Sequence, residues 1–388
     1  MSIYLDNAST TFPKPEVVPQ AVVDYMTRMG ANVGRGSYGE AYRVESMVYE
    51  TRELIAGLFD ASDCRNVAFT RNVTEGLNAL IKGYLHAGDH VIVSSMEHNA
   101  VMRPLVQVGR WGVSFTRAPC DGTGALILDE LEGCLRPNTV AVIMLHASNV
   151  TGTVMPAAEV GVFCHAHGLR FFLDTAQSAG VIPVDMGSMG VDAVAFTGHK
   201  ALLGPQGIGG LVLAEDLVGQ LEPLVTGGTG SMSHREETPS FMPDRMEAGT
   251  PNLPGIAGLH ASLGWLRTWG IDSVRGHELA LVGRFLEGVR ALEAKGLVRL
   301  VGRHDCEGRV GVVSVATPQA DAAEVAGLME ERFGILTRVG LHCAPSAHRT
   351  CGTYPAGTIR FSFGFANDED DVDVALAALE ACCRDQGR

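Results

Sequence analysis

A doubly wound α/β domain with a mostly parallel central sheet, followed by a smaller α+β C-terminal domain, is the fold this sequence predicts. Three observations carry it. Short apolar runs at Val67–Thr70, 91–95, Thr139–Leu145, 169–173 and 191–196 are β-rich and bounded by Gly or polar residues, as strands buried on both faces are. Helical patterns separate these runs, which marks parallel crossover units. Beyond about residue 260 the strands and helices follow a different order with an apolar pattern of their own.

Taken in order, residues 1–20 read as an N-terminal arm, because Pro13, Pro15 and Pro19 discourage an early helix. A helix is predicted over 20–29, then a glycine-rich loop from Gly30 to Gly39. A second helix over 40–58 would bury Val44, Met47, Val48, Leu54, Ile55 and Leu58. The strand Val67–Thr70 leads into a helix opening at Asn72-Val73-Thr74, where free N–H groups and a hydroxyl make an anion site or a simple cap. Later strands end in polar groups: 91–95 at His98, Thr139–Leu145 at Asn149, 169–173 at Asp174 and Gln177, 191–196 at Thr197, His199 and Lys200. Ligands of open α/β sheets lie outside the carboxyl ends of the strands. His98, Asn149, Asp174 and Lys200 are therefore expected in one crevice.

The stretch 226–254, rich in Gly, Ser, Thr and Pro, is long enough to predict a functional or interfacial loop. A helix over 255–268 carries the chain into the last unit. That unit reads as helix 272–295, strands 298–301 and 309–316, helix 321–333, strand 358–364 and helix 368–384, capped by Asn367 or Asp368. The expected division is an arm over 1–20 packing with the small domain, a large domain over 21–260 and a small domain over 261–388.

Composition narrows the function. At 388 residues, with 46% hydrophobic and 19% charged residues, the chain can bury a large core in two or more domains. A net charge of −14 argues against nucleic acid or an anionic membrane as partner. No apolar run reaches the length of a membrane span, and the start lacks a basic segment followed by an apolar one, so a cytoplasmic protein is expected. Nine cysteines without a C-x-x-C pair argue against both a secreted disulfide framework and a structural zinc site. His165 and His167 read as a helix face rather than a metal pair.

A lysine and a carboxylate at neighbouring strand ends suit pyridoxal 5′-phosphate. The amine forms a Schiff base with the aldehyde, and the acid keeps the ring nitrogen protonated so that the ring accepts electrons. The plainer alternative is a salt bridge at the end of a sheet.

An ordered set of motifs goes further: Tyr4-Leu-Asp-Asn-Ala-Ser-Thr-Thr, Asn32-Val-Gly-Arg-Gly, Phe69-Thr-x-x-x-Thr74-Glu-Gly-Leu-Asn, Glu97-His98-Asn, Ser148-Asn149-Val-Thr-Gly, Asp174-x-x-Gln177, Thr197-Gly-His199-Lys200, Glu247-Ala-Gly-Thr250-Pro-Asn and Arg338-x-Gly-x-His342-Cys343-Ala. Nearly end to end, the chain resembles the fold-type I, class V pyridoxal-phosphate enzymes, and among them the cysteine desulfurases and selenocysteine lyases with a short catalytic loop. The resemblance implies that Lys200 is the Schiff-base lysine and proton shuttle, that His98 stacks on the ring, that Asp174 holds the ring nitrogen and that Gln177 contacts the phenolic oxygen. It implies a phosphate cradle of Val73, Thr74, Thr197 and His199, completed by Thr250 of a second subunit in an obligate homodimer. Asn149 and Arg360 would bind the substrate carboxylate. Cys343 would take sulfur from L-cysteine as a persulfide, leave L-alanine, and pass the sulfur to an acceptor protein. The attacking group must be a thiolate, and Arg338 and His342 are the local candidates for the positive charge that favours it.

The chain departs from the family at Val73, where a hydroxyl is common, and at Leu341 and Pro345 around the cysteine. Two alternatives use the same residues: a lyase acting on L-selenocysteine, and a class V aminotransferase or epimerase in which Cys343 takes no part.

Overall fold

The structure is a computed structural model that describes residues 2–34 and 36–386. Arg35, part of one motif above, lies outside the described residues.

The chain begins with β1 (Ile3–Tyr4), then α1 (Val17–Asp24), whose last turn widens over Tyr25–Met29 and stops at Gly30 with φ 56°. The helix thus starts before residue 20. Pro19 sits in its first turn, where a missing N–H costs nothing. The large unit continues with α2 (Gly39–Leu58), β2 (Val67–Thr70), α3 (Val73–Tyr84), β3 (His90–Ser94), α4 (Asn99–Val108), β4 (Ser114–Ala118), β5 (Thr139–Leu145), α5 (Ala157–His167), β6 (Arg170–Asp174), β7 (Ala193–Thr197) and β8 (Gly209–Leu213). A short α6 (Glu215–Val218) precedes a long irregular stretch, and α7 (Leu253–Trp269) follows it.

Seven strands form one sheet in the order β2-β8-β7-β6-β5-β3-β4. Pairings from β7 through β4 are parallel, whereas β8 runs antiparallel to both β7 and β2. Alternate residues of each strand serve two cores. Ile92, Val142, Phe171, Leu173 and Val194 face α2, α5 and α7. Val91, Val93, Ile143, Phe172 and Ala195 face α3 and α4. Burial on both faces is what made these strands read as unbroken apolar runs. Of the stripe expected on α2, Val44, Val48 and Ile55 are buried, while Met47, Leu54 and Leu58 pack at its margin.

The remainder is α8 (Ile271–Ala294), β9 (Arg299–Val301), β10 (Val312–Ala316), α9 (Ala322–Phe333), β11 (Ile335–Leu336), β12 (Arg338–Gly340), α10 (Pro345–Thr350), β13 (Thr358–Ser362) and α11 (Glu369–Gln386). Its four-stranded antiparallel sheet, β12-β13-β10-β9, packs with α8, α9 and α11 around Phe285, Val313, Phe361 and Leu379. Asp368 caps α11 by accepting from Asp371 N at 3.0 Å. Position 260 falls inside α7, whose Ile256, Leu259 and Leu263 belong to the core under the large sheet. At the other end of the chain, β1 pairs in parallel with β11, and Leu5 is buried in the core of the last unit.

Candidate active site

Parallel pairing brings the carboxyl ends of β3, β5, β6 and β7 to one edge, and the expected residues follow those ends. Asp174 closes β6 and is buried, with one carboxylate oxygen accepting from Ala176 N at 2.9 Å. Burial raises its pKa, and the Lys200 charge opposes that rise. Lys200 follows β7 on a turn closed by Leu203 N bonding to its carbonyl at 2.8 Å. Burial pushes its amine down to about 8, with Asp174 pulling the other way. A lysine so shifted is a far better nucleophile at neutral pH than an exposed one.

The backbone that presents Lys200 is fixed by the arm. His199 O accepts from Thr11 N at 3.1 Å, Thr10 Oγ1 at 3.1 Å and Lys14 Nζ at 2.6 Å, and Lys200 O accepts from Thr11 Oγ1 at 2.8 Å. Gln177 is tied in the same way, donating to Ala8 O at 3.0 Å. His98 caps α4, its Nδ1 accepting from Ala100 N at 3.0 Å. Burial and then the Lys200 charge push its pKa down to about 3, so the ring is neutral and carries its proton on Nε2.

Thr197 Oγ1 and His199 Nδ1 are buried and have no hydrogen-bond partner. Orphaned polar atoms of this kind mark a place built for a ligand. Beside them, Gly209 comes so close to the start of α3 that a Cβ would lie 2.8 Å from Asn72 Cα. That approach sets the N-terminus of α3, with Val73 and Thr74, against the end of β7. A phosphate fits this donor set: two side chains seeking a partner and a helix N-terminus. Thr250 is exposed, on a loop next to Gly207 and Asn252 at the mouth of a neighbouring cleft.

Arg360 is buried on β13. It donates to Asp6 Oδ1 at 2.7 Å, Ser9 Oγ at 2.8 Å and Asn149 O at 3.0 Å, while its Nε has no partner. Arg338 also donates to Ser9 Oγ, at 2.8 Å. Asn149 gives its amide to His342 O at 2.7 Å and leaves its Oδ1 buried without a donor.

Cys343 is exposed, in a loop between β12 and α10. His342 and Cys343 both adopt left-handed backbone, φ 46° and 58°, which costs of order 1–3 kcal/mol each for a non-glycine residue. Fixed partners offset that strain: Asn149 on His342 O, and Asn99 N on Cys343 O at 2.8 Å. The loop is thereby stapled to the ends of β5 and β3. The role expected for the His342 side chain does not survive. Its ring is buried, with Nε2 2.9 Å from Thr358 Oγ1, and burial followed by the Arg360 charge pushes its pKa down to about 2. A neutral buried ring supplies no positive charge to a thiolate.

Sequence reasoning missed several partners. Asp6, Ser9 and Lys14 hold the arginines and the Lys200 turn, and their spacing in the arm carries no chemical signature. Glu97 lies buried beneath His98, accepting from Ser94 Oγ at 2.5 Å and Leu145 N at 3.1 Å, with its pKa pushed up to about 8 by burial. Its place beside a histidine gave no hint of burial. Among the described residues no cluster of three or more His, Cys, Asp or Glu side chains could hold a metal ion, and no helix is long and apolar enough to cross a membrane.

A mostly parallel sheet presenting a buried lysine opposite an aspartate, with a thiol carried in by the following unit, is the frame of a class V aminotransferase, and residues 3–375 match the family described as Aminotransferase class-V. The chain belongs to that family. Relatives within it are named cysteine desulfurases. A protein of Methanothermobacter thermautotrophicus named "Probable cysteine desulfurase" is 32% identical over 97% of this chain and 94% of its own length. One of the same name from Aeropyrum pernix is 36% identical over 97% and 93%. The solved apo structure of the cysteine desulfurase from Thermococcus onnurineus superposes with a TM-score of 0.92 at 30% identity, covering 99% of this chain and 95% of the other.

Proposed function

We propose that the protein is a pyridoxal-phosphate-dependent cysteine desulfurase that converts L-cysteine to L-alanine and holds the sulfur on Cys343 as a persulfide. The observation that carries this reading is the staple of the Cys343 loop onto Asn99 and Asn149, which fixes an exposed thiol at the rim of the Lys200–Asp174 crevice. A class V enzyme with no use for this thiol gains nothing from two strained residues held there.

When bound, pyridoxal phosphate supplies an electron sink for bonds at the amino-acid Cα and Cβ. Thr197, His199, Val73 and Thr74 would hold its phosphate, Asp174 would keep its ring nitrogen protonated, Gln177 would serve its phenolic oxygen and neutral His98 would pack on its ring. Lys200, with its lowered pKa, takes the Cα proton and returns it at the carbon where it is needed. Arg360 and Arg338 hold the substrate carboxylate, for which a planar guanidinium is suited. The Cys343 thiolate then attacks the substrate sulfur. A sulfur–sulfur bond forms, the carbon–sulfur bond breaks, and its electron pair leaves with the alanine carbon.

A homodimer follows from two features. The outer faces of α1 with its following turn and of α2 expose Val17, Val23, Met26, Tyr42 and Tyr49, large apolar side chains that a second subunit would cover. Thr250 is exposed and free to reach a second subunit. We place the division between the large and small units in the chain near Gly270, between α7 and α8, and the reaction in the cytoplasm.

The test is an assay of alanine and sulfide from L-cysteine, run beside Cys343→Ser. We expect the variant to lose at least a hundredfold in turnover while L-cysteine still changes its visible absorbance. Undiminished turnover in the variant would favour the aminotransferase or epimerase alternative.

A further inference from the structure

In a chain of net charge −14, the segments 98–120 and 338–360 contain no Asp or Glu, yet they carry Arg103, Arg110, Arg117, Arg338, Arg349 and Arg360. The fold brings these two segments together around Cys343. Asn99 N bonds to Cys343 O, and Arg103 stands one turn further along the same face of α4. Thr350 Oγ1 donates to Ser95 Oγ at 3.0 Å, and Ser95 N donates to Ala118 O at 2.9 Å. Arg349 and Arg117, the neighbours of Thr350 and Ala118, therefore lie on either side of that junction. The charge of Arg349 contributes, after burial, to lowering the pKa of Arg117.

Arg103, Arg117 and Arg349 are exposed, and no ion pair within the described residues involves them. Several exposed arginines elsewhere are ion-paired, as Arg65, Arg71, Arg284, Arg332 and Arg384 are. The guanidinium groups at the rim are also held in place. Arg349 lies 4.3 Å from the Tyr354 ring centre and Arg117 lies 5.0 Å from that of Phe115, so little further freedom is lost on docking.

We propose that this arginine-lined rim docks an acidic protein segment that presents a thiol, so that the sulfur on Cys343 passes to an anionic acceptor. The partner's charge follows from complementarity: three unpaired cations, two of them with aromatic backing, and no carboxylate in the segments that bear them. The proposal rests on the desulfurase reading for its chemistry and adds the class of acceptor. In the transfer, the acceptor thiolate attacks the outer sulfur of the persulfide. A new sulfur–sulfur bond forms on the acceptor, the old one breaks, and the electron pair returns to Cys343 Sγ.

The experiment uses two synthetic peptides of equal length with one central cysteine, one flanked by Asp and Glu and the other by Lys. The holoenzyme is charged with L-cysteine, and persulfide transfer to each peptide is followed by mass spectrometry. We expect the acidic peptide to react about tenfold faster at low salt. The advantage should shrink above 0.1 M salt, where the screening length falls to about 10 Å. It should vanish in Arg117→Glu/Arg349→Glu and be reduced in Arg117→Ala/Arg349→Ala, both with unchanged alanine formation. Equal rates, or a faster Lys peptide, would overturn the proposal. A second arm needs no turnover: Ser-for-Cys versions of both peptides are titrated by fluorescence anisotropy. Tighter binding of the acidic one supports the docking surface even if the desulfurase reading fails, and equal binding sinks it.

Discussion

Two buried groups, Lys200 and Glu97, make the residue-scale chemistry testable by pH. Lys200 has its pKa lowered to about 8 by burial, Asp174 opposing, so its amine is mostly neutral above pH 8. Uptake of pyridoxal phosphate by the apo-protein is expected to accelerate from pH 7 and level off near pH 9, followed by absorbance. An amine at the ordinary lysine value of about 10.4 would keep accelerating past pH 10. Glu97 is shifted the other way, up to about 8. Between its unfolded value near 4.5 and about 8, the folded state binds more protons than the unfolded one, so this group makes stability fall as pH rises through that window. Glu97→Gln, neutral at every pH, should flatten the fall; urea midpoints at pH 5 and pH 8 would show it. His98, Asp174, Lys200 and Cys343 were legible because each sits at a strand end or in a motif. Glu97, Asp6 and Ser9 act through burial and partners distant in sequence, and no spacing records that. The expected charge on His342 failed for the same reason: burial, invisible in the sequence, decides its protonation.

At the scale of elements, the best-anchored part of the irregular stretch before α7 is Glu247. Its carboxylate forms a two-pronged pair with Arg52 of α2, both contacts at 2.8 Å, and also accepts from Phe69 N at 2.6 Å. The Arg52 guanidinium lies 4.5 Å from the Phe69 ring centre. The side chains are only 8% and 16% exposed, so removing one partner strands the other charge. Arg52→Met should cost about 3–5 kcal/mol of stability, measured by denaturant unfolding, and speed proteolytic cleavage near residue 249. Because Thr250 lies three residues on, the same variant should also release its cofactor faster. Unbroken apolar runs and, for α8, length made β2, β5 and α8 readable to within a residue or two. The strands β11 and β12 and the helix α10 went unread, being too short for any period to show. The reversal of β8 was equally hidden, since a strand buried on both faces reads the same in either direction.

For the molecule as a whole, the exposed apolar faces of α1 and α2 predict association. Light scattering should give twice the 41.1 kDa chain mass, and Tyr42→Glu/Tyr49→Glu should return the single-chain value. The arm binds the two units into one mechanism: Asp6 and Ser9 hold Arg360 and Arg338, and Thr10, Thr11 and Lys14 hold the Lys200 turn. Asp6→Asn should therefore raise KM for L-cysteine severalfold with a smaller change in kcat, in steady-state assays, because it loosens an arginine rather than removing one. The pairing of β1 with β11 has a further consequence during biosynthesis. Ile3 N bonds to Gly334 O and Leu5 N to Leu336 O, so β1 must wait for a strand made about 330 residues later. Until that strand has been translated, β1 has no edge to join and Leu5 no core to enter. A nascent chain stalled before that point would carry β1 loose, open to peptidases and chaperones.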